Sequence, residues 1–169
     1  MGENGEKMHN FVAEFLLEDV RMRFLGNIEA KTDAKGRAFL PSVFRKVLQT
    51  AGEERLVLRK DIFQQCLVLY PETIWNSRVD GLKGQLKQWK PAHQQILRQF
   101  VAEAETATLD GNGRLLISRR LMNEAGLEQD IQFIGVDDTI EIWSPEALKE
   151  SMKTDKEFGE ELERMMSEE

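Results

Sequence analysis

The chain has little of what several functional classes need. Cys66 is the single cysteine among 169 residues, so no internal disulfide can form, as is typical of proteins from a reducing compartment. That cysteine and two isolated histidines, His9 and His93, do not provide zinc ligands at the usual spacing. No run of 18 apolar residues is present, so the sequence predicts no membrane-spanning segment. We expect a cytoplasmic protein with no metal or other cofactor.

The usual catalytic motifs are missing as well. No Ser or Cys lies in a nucleophile elbow, no glycine-rich loop could cradle a phosphate, and no carboxylate pair has a neighbouring histidine. Cys66 begins an apolar run, CLVLY, which predicts a buried strand, so we interpret it as a core residue rather than a nucleophile. The sequence therefore predicts a protein that is not an enzyme and has no small-molecule substrate.

The net charge is −7, from 23 Lys and Arg against 30 Asp and Glu, which taken alone argues against binding to nucleic acid. The acidic residues, however, are concentrated at the two ends of the chain. Residues 150–169 carry eight acidic and three basic side chains, whereas residues 23–60 carry nine basic and four acidic ones. The charge distribution therefore leaves nucleic-acid binding open for the segment near the front.

An internal repeat dominates the sequence. Residues 33–40 (DAKGRAFL) return 77 positions later as residues 110–117 (DGNGRLLI), and later landmarks return in the same order. Each copy predicts four short strands and one small helix, which cannot bury much apolar surface alone. We therefore expect an α+β protein in which two β-α-β units interlock.

The predicted elements follow the same order in both units. Each unit has a strand, a tight turn with Asp first and Gly fourth, a second strand, a helix and two closing strands. Pro41 is predicted to be the first residue of one helix and Ser118 the N-cap of the other. Helices predicted at 72–88 and 92–103, with Trp75 and Trp89 as packing residues, link the units. The unit elements are strands 28–31, 37–40, 55–59 and 67–70 with helix 41–50, and strands 105–109, 114–117, 131–136 and 139–143 with helix 119–124.

These patterns divide the chain into five segments. They are an N-terminal extension (1–21), the first unit (22–71), a linking helical hairpin (72–103), the second unit (104–145) and an acidic C-terminal helix or tail (146–169).

The repeated Asp-x-x-Gly-Arg turn is the candidate binding site. We expect it at the exposed tip of a hairpin, where the Asp caps backbone N–H groups and the Gly permits the tight reversal. The Arg that follows can contact phosphate, or guanine through O6 and N7. The predicted loop-shaping residues are Asp33, Gly36, Asp110 and Gly113. The predicted DNA contacts are Lys31, Lys35, Arg37 and Arg114.

The residues alone leave a second interpretation of these turns open, in which Asp and Arg are ion pairs that only stiffen them. The local basic excess favours nucleic acid. In sequence it clusters around the first turn as Arg23, Lys31, Lys35, Arg37, Arg45 and Lys46, and around the second as Arg114, Arg119 and Arg120.

Residues 24–41 (FLGNIEAKTDAKGRAFLP) resemble the opening of the MraZ family, bacterial regulators of the division and cell-wall gene cluster. Residues 109–114 (LDGNGR), 125–126 (AG) and 140–143 (IEIW) are similar to its second repeat. The resemblance implies an AbrB-like double-split barrel with peripheral helices, assembled into a closed homo-oligomeric ring on the nucleoid.

The same resemblance implies a transcriptional regulator, usually a repressor, whose turns bind short G-rich direct repeats of double-stranded DNA in its own promoter. Since the family opens near Met22, the resemblance implies that residues 1–21 are an extension, from an upstream start codon or non-native sequence. Asn112 stands where the first turn has Lys35, so the second turn is expected to contribute less to DNA contact.

Two other functions remain open from the residues. AbrB-like relatives include antitoxins, and the acidic tail at 146–169 would suit a protein-interaction module of that kind. An RNA-binding module is the third, but the first turn region offers only Phe24 and Phe39 for stacking on bases.

Overall fold

In a computed structural model of the chain, residues 4–7 and 22–168 are described, and residues 4–7 are helical. Most of the predicted extension 1–21 lies outside the described residues. The strands are β1 (Phe24–Lys31), β2 (Arg37–Phe39), β3 (Leu56–Lys60), β4 (Leu67–Pro71), β5 (Glu105–Ala107), β6 (Arg114–Leu116), β7 (Asp130–Asp137) and β8 (Thr139–Trp143). The helices are α1 (Ser42–Ala51), α2 (Glu72–Gln85), α3 (Pro91–Ala102), α4 (Arg119–Glu124), α5 (Pro145–Ser151) and α6 (Asp155–Ser167). The predicted α+β class is confirmed.

The strands of the two units pair with each other. A six-stranded antiparallel sheet has the order β1-β7-β8-β4-β3-β5, and β2 pairs with β6 in a separate two-stranded sheet. β1 and β7 pair along their whole length, from Phe24 opposite Asp137 to Lys31 opposite Asp130. Strands of one unit thus complete the sheet of the other, because neither unit has enough strands to cover its own apolar residues.

Both units contribute side chains to one main hydrophobic core. Its largest fully buried side chains include Phe24, Phe44 and Phe133. The rings of Phe24 on β1 and Phe44 on α1 meet edge to face, with centroids 5.7 Å apart. Burial of each such side chain contributes about 1.5–3 kcal/mol, so this shared core holds the sheets and α1 together.

The helices of the two units begin differently. Pro41 is the extended N-cap residue of α1 (ψ 138°) and not its first helical residue, so that prediction is wrong by one position. Ser118 caps α4 as predicted, because its hydroxyl accepts a hydrogen bond from the N–H of Leu121 at 3.3 Å. Gly52 ends α1 in the left-handed conformation (φ 70°).

The C-terminal segment is two helices rather than the single amphipathic helix that the sequence predicts. α5 ends at Ser151, and the following residue, Met152, has an extended backbone (ψ 139°). Thr154 then starts α6 with a capping box, in which its side chain and that of Glu157 each satisfy a backbone N–H of the other. The segment is divided into two helices because the capping box at Thr154 starts a new helix.

The linking helices pack on the sheet through α3 and the start of α2. Trp75 stacks on Phe100 with ring centroids 5.1 Å apart, and the buried Arg59 of β3 donates to the carbonyl of Phe100 at 2.9 Å. Trp89 is 90% exposed, so the prediction that it packs within the chain is wrong. α2 ends earlier than predicted, which leaves Trp89 in the connection to α3. None of the helices in the described part of the chain has both the length and the apolar composition that crossing a bilayer requires.

Candidate nucleic-acid interface

Asp33 closes the first Asp-x-x-Gly-Arg turn. Its Oδ1 accepts hydrogen bonds from the backbone N–H groups of Lys35 and Arg37, both at 2.9 Å. Its Oδ2 accepts from Nε of Arg37 at 2.7 Å. Gly36 has the left-handed backbone (φ 84°) that the reversal needs, and its N–H donates to the carbonyl of Asp33 at 3.0 Å. One carboxylate therefore fixes both the turn and the direction of the guanidinium.

The second turn repeats this geometry bond for bond. Oδ1 of Asp110 accepts from the N–H groups of Asn112 and Arg114 at 2.9 Å, and Oδ2 accepts from Nε of Arg114 at 2.7 Å. Gly113 has φ 81°. The ion pairs of the stiffening interpretation are thus present, but they engage only Nε. Within residues 22–168, no protein acceptor bonds to the terminal Nη atoms of Arg37 or Arg114.

These hydrogen bonds keep both turn carboxylates ionised. The backbone N–H of Arg37 is the main cause that lowers the pKa of Asp33 from 3.8 to about 2, and the Arg37 guanidinium adds to it. The pKa of Asp110 is lowered in the same way by the backbone N–H of Arg114. Desolvation acts in the opposite direction at both sites and is outweighed. Each arginine is therefore held by a full negative charge at neutral pH.

The pairing of β2 with β6 places both arginines on one exposed face. Arg37 lies opposite Leu116, and Phe39 lies opposite Arg114. The central residue of each strand is buried in the core, so the residues on either side of it face outward. Phe39 and Leu116 are 58% and 57% exposed, and Cζ of Arg114 lies 6.0 Å from the centre of the Phe39 ring. We call the four side chains Arg37, Phe39, Arg114 and Leu116 the ribbon face.

At the first turn the predicted hairpin does not form a strand ladder, whereas at the second turn a single antiparallel bridge, Leu109 opposite Leu115, joins the flanking segments. β1 pairs with β7 and β2 pairs with β6, so the strands that flank the first turn do not pair with each other. Instead, the carbonyl of Gly36 accepts the N–H of Ile117 at 2.9 Å, and the carbonyl of Gly113 accepts the N–H of Leu40 at 3.1 Å. Each turn is therefore hydrogen-bonded to the other unit.

Because the units interlock, each turn lies beside a basic residue from the helix of the other unit. Arg45, which the sequence places with the first turn, lies against the second one. The position that a Cβ on Gly113 would take is 2.9 Å from Cδ of Arg45 and 3.0 Å from Cζ. Met122 is the equivalent of Arg45 at the repeat offset of 77, and its Sδ is 4.0 Å from the corresponding position on Gly36.

Arg119, conversely, lies beside the first turn. The sequence places it with the second turn, but it lines an open pocket of about 250 Å³ beside Lys35 and Gly36 of the first turn, together with Met122. The helix that follows each turn in sequence thus lies beside the turn of the other unit, because the strands before those helices are exchanged.

The remaining predicted bases lie in different surroundings. Lys31, at the end of β1, is largely exposed and its Nζ is 3.9 Å from Oδ1 of Asp130 across the sheet. Arg120 is paired with Glu105 and Glu124, at 3.3 and 3.1 Å. Lys35 is exposed at the turn, and among residues 22–168 no carboxylate lies within 4.0 Å of its Nζ. The structure therefore brings Lys35, Arg37 and Arg119 to the first turn, while Arg120 is neutralised.

The sequence model of a protein family matches residues 23–98 and 100–168, under the description "MraZ protein, putative antitoxin-like". The chain belongs to the MraZ family. The resemblance noted from the two turn motifs is thereby confirmed.

Curated relatives extend over most of the chain. A protein of Phocaeicola vulgatus called Transcriptional regulator MraZ is 58% identical over 145 residues, which cover 86% of this chain and 94% of that protein. One of Bacteroides fragilis with the same name is 52% identical over 148 residues, 88% of this chain and 94% of the relative. The MraZ protein of Christiangramia forsetii is 33% identical over 132 residues, 78% of this chain and 84% of the relative.

Two apolar members of the ribbon face and the true positions of Arg45 and Arg119 were not predicted from the sequence. The apolar members had a signal: Phe39 is two residues from Arg37, and residues two apart on a strand share a face. The position of Arg45 had no local signal, because it depends on strand exchange. Across the described ranges, 4–7 and 22–168, no three His, Cys, Asp or Glu side chains come together as a metal site would require.

Proposed function

We propose that this chain is a sequence-specific DNA-binding transcriptional regulator, and that it represses the division and cell-wall gene cluster from its own promoter. It reads short G-rich direct repeats with the Asp-x-x-Gly-Arg turns, as a closed ring of identical subunits on the nucleoid in the cytoplasm. It has no enzymatic activity and takes no cofactor. The name of its relatives, Transcriptional regulator MraZ, supports the regulatory part of the proposal.

The observation that carries the DNA part is the ribbon face. A two-stranded β-ribbon fits the major groove, where an arginine can donate two hydrogen bonds to O6 and N7 of guanine. Arg37 and Arg114 both lie on the exposed side of such a ribbon, on adjacent strands. The exposed Phe39 and Leu116 between them can contact sugar or thymine methyl groups.

The turn carboxylates prepare these arginines for recognition. Asp33 and Asp110 hold Nε, and among residues 22–168 the Nη groups of each guanidinium have no protein acceptor. Because the guanidinium is already oriented, less side-chain entropy is lost when it binds a base. The Asp–Arg ion pair thus stiffens the turn and, in this proposal, also orients the arginine for binding a base.

A single subunit would bind weakly. Since Asp33 and Asp110 partly neutralise the two arginines, and the chain as a whole is acidic, few net positive charges face DNA. Several linked subunits on spaced repeats raise the effective concentration of each turn at its site, so assembly supplies the affinity. The direct repeats of the proposed promoter suit that arrangement.

We also assign the fold to the AbrB-like double-split barrel. In this assignment, residues 22–71 and 104–145 are its interlocked halves, residues 72–103 are a linking hairpin and residues 146–169 a separate acidic segment. The exchange of strands between the units in the six-stranded sheet supports it.

Titration of a fluorescent duplex that carries the gene's own upstream G-rich repeats tests the function. Arg37→Ala and Arg114→Ala should each weaken binding by about 1–3 kcal/mol per engaged turn and reduce discrimination against duplexes with the guanines replaced. Arg98→Ala on α3 is the matched control and should bind as the parent does. Equal affinity of the parent and Arg37→Ala for both duplexes would contradict the proposal.

Lys35 provides a second readout. Its exposed ammonium should contact phosphate rather than a base, so Lys35→Ala should flatten the dependence of affinity on salt and leave the sequence preference unchanged. A change of sequence preference in this variant would assign Lys35 to base recognition instead.

The alternative is an antitoxin-like protein-interaction module that acts through the acidic tail. It is favoured by α6, which buries none of its residues and exposes Phe158, Leu162 and Met165 along one acidic helix. A chain that ends after Lys153 keeps the buried Leu148 of α5 and should still bind DNA. If that chain binds DNA normally but no longer co-purifies with a protein partner, the alternative gains support.

A further inference from the structure

We propose that Arg45 of α1 binds a DNA phosphate at the second turn, and so supplies to that turn a cation that its own sequence lacks. This inference rests on the proposed function, in which both turns contact DNA. Arg45 belongs to the first unit in sequence, but in this inference it acts at the turn of the second unit.

The second turn is short of positive charge by itself. Asn112 stands where the first turn has Lys35, and Arg114 is held by Asp110. The first turn, in contrast, has Lys35 in its own loop and Arg119 beside it. If the second turn had only Arg114, it would offer one largely neutralised cation to a polyanion.

Arg45 lies where it can supply positive charge to the second turn. Its guanidinium packs against the backbone of Gly113, so closely that a Cβ there would overlap Nη1. Since Gly113 has no side chain, the turn backbone and the guanidinium can touch. By repeat symmetry the same place at the first turn holds the uncharged Met122.

The charge of Arg45 is not neutralised by the protein. In residues 22–168, no carboxylate lies within 4.0 Å of its nitrogens, and its buried Nε has no hydrogen-bond partner. Because Nε is buried, an anion can reach this guanidinium only through its Nη groups, for which no carboxylate of the described residues competes. Packing, rather than an ion pair, holds the group in place before the anion arrives.

A phosphate suits this position better than a base. Arg45 comes from α1 and lies at the turn, beside the end of the ribbon, and not on the ribbon face that would enter the groove. The sugar-phosphate backbones flank the groove, so a cation beside the end of a ribbon meets phosphate oxygens. Arg45 should therefore add affinity without sequence preference.

The salt dependence of binding tests the proposal. The probes are two fluorescent duplexes of equal length, one with the gene's own upstream repeats and one with the guanines replaced. Arg45→Met, which removes the charge but keeps an apolar stem of similar length, should reduce the slope of log affinity against log salt. The expected reduction is about 0.9 for each engaged subunit, and it should be the same on both duplexes. Arg45→Lys should retain the slope.

Lys83→Met on α2 is the control for loss of one positive charge elsewhere and should leave the slope unchanged. The reciprocal variant, Met122→Arg, places a guanidinium beside the first turn and should increase the slope by a similar amount. Thermal unfolding of each variant shows whether it is folded, and if Arg45→Met is not, Arg45→Gln and Met122→Arg decide the question.

The outcomes separate this inference from the proposed function. If the parent binds neither duplex, the proposed function fails. If the parent binds and the Arg45→Met and Arg45→Gln variants keep its slope, or Met122→Arg does not increase it, the assignment of Arg45 is overturned while the proposed function stands. A loss of sequence preference in Arg45→Met would also overturn it, because a phosphate contact carries none.

Discussion

The N–H of Ile117 donates a hydrogen bond to the carbonyl of Gly36 at 2.9 Å, and so joins the end of one repeat's strand to the turn of the other. The same bond recurs from Leu40 to Gly113 at 3.1 Å. Because each turn is tied to the opposite unit, the placement of the two turns beside one another depends on the two units being interlocked.

Gly36→Ala should destabilise the protein by about 1–3 kcal/mol or more, for two reasons. An alanine would be strained at φ 84°, and its Cβ would overlap the carbonyl oxygen of Ile117. Urea denaturation at one fixed protein concentration measures the loss.

Gly52→Ala is the matched control for that measurement. Gly52 also has a left-handed backbone, at φ 70°, but a Cβ there meets nothing within 4 Å. It should therefore cost only the conformational strain, about 1 kcal/mol. Equal losses in the two variants would show that the close approach of Gly36 to Ile117 does not contribute to stability.

Asp33 should titrate well below its ordinary range. Because its pKa in the folded protein, about 2, is lower than the ordinary 3.8, its contribution to stability is complete above pH 3.8. That contribution is lost as the pH falls from 3.8 towards 2. The chemical shift of the Asp33 carboxyl carbon, followed by NMR between pH 2 and 5, measures the titration.

In Arg37→Ala the pKa of Asp33 should rise but stay below 3.8, because the backbone N–H groups of residues 35 and 37 still donate to it. Binding through this turn should also be constant between pH 5 and 8, where Asp33 stays ionised. A titration of Asp33 near 3.8 in the parent would contradict the hydrogen bonding described for this turn.

Cys66 should resist thiol reagents in the folded protein. It is fully buried against Trp143 and Leu148, and burial raises the pKa of its thiol. A chromogenic disulfide reagent at neutral pH should label it quickly only in denaturant. Fast labelling without denaturant would contradict the burial.

Substitution of Cys66 distinguishes packing from polarity. Cys66→Ser should cost about 1–3 kcal/mol, since a buried hydroxyl would need a hydrogen-bond partner among apolar neighbours. Cys66→Ala removes volume without adding a polar group and should cost less than Cys66→Ser. The opposite order in urea denaturation would show that Cys66 has a polar partner.

Local features of the fold were predictable because short-range chemistry decides them. Ser118 caps α4, and α4 and β8 have the predicted bounds. Pro41 was misplaced by one residue, since a proline suits both the N-cap and the first helical position. The break at Met152 was missed because amphipathic spacing continues across it, while the cap at Thr154 depends on Glu157.

The sequence by itself determined the two turns: Asp33 and Arg37 are four residues apart, so their hydrogen bonds form within a single loop. Only the tertiary structure decided what the turns face. Asn27 and Gln132, 105 residues apart, are hydrogen-bonded at 3.1 Å across β1 and β7, and that exchange of strands carries Arg45 to Gly113. A repeated sequence is compatible with pairing inside each unit or between the units, because both give the same local pattern. The choice between them depends on burying a core that the two units share.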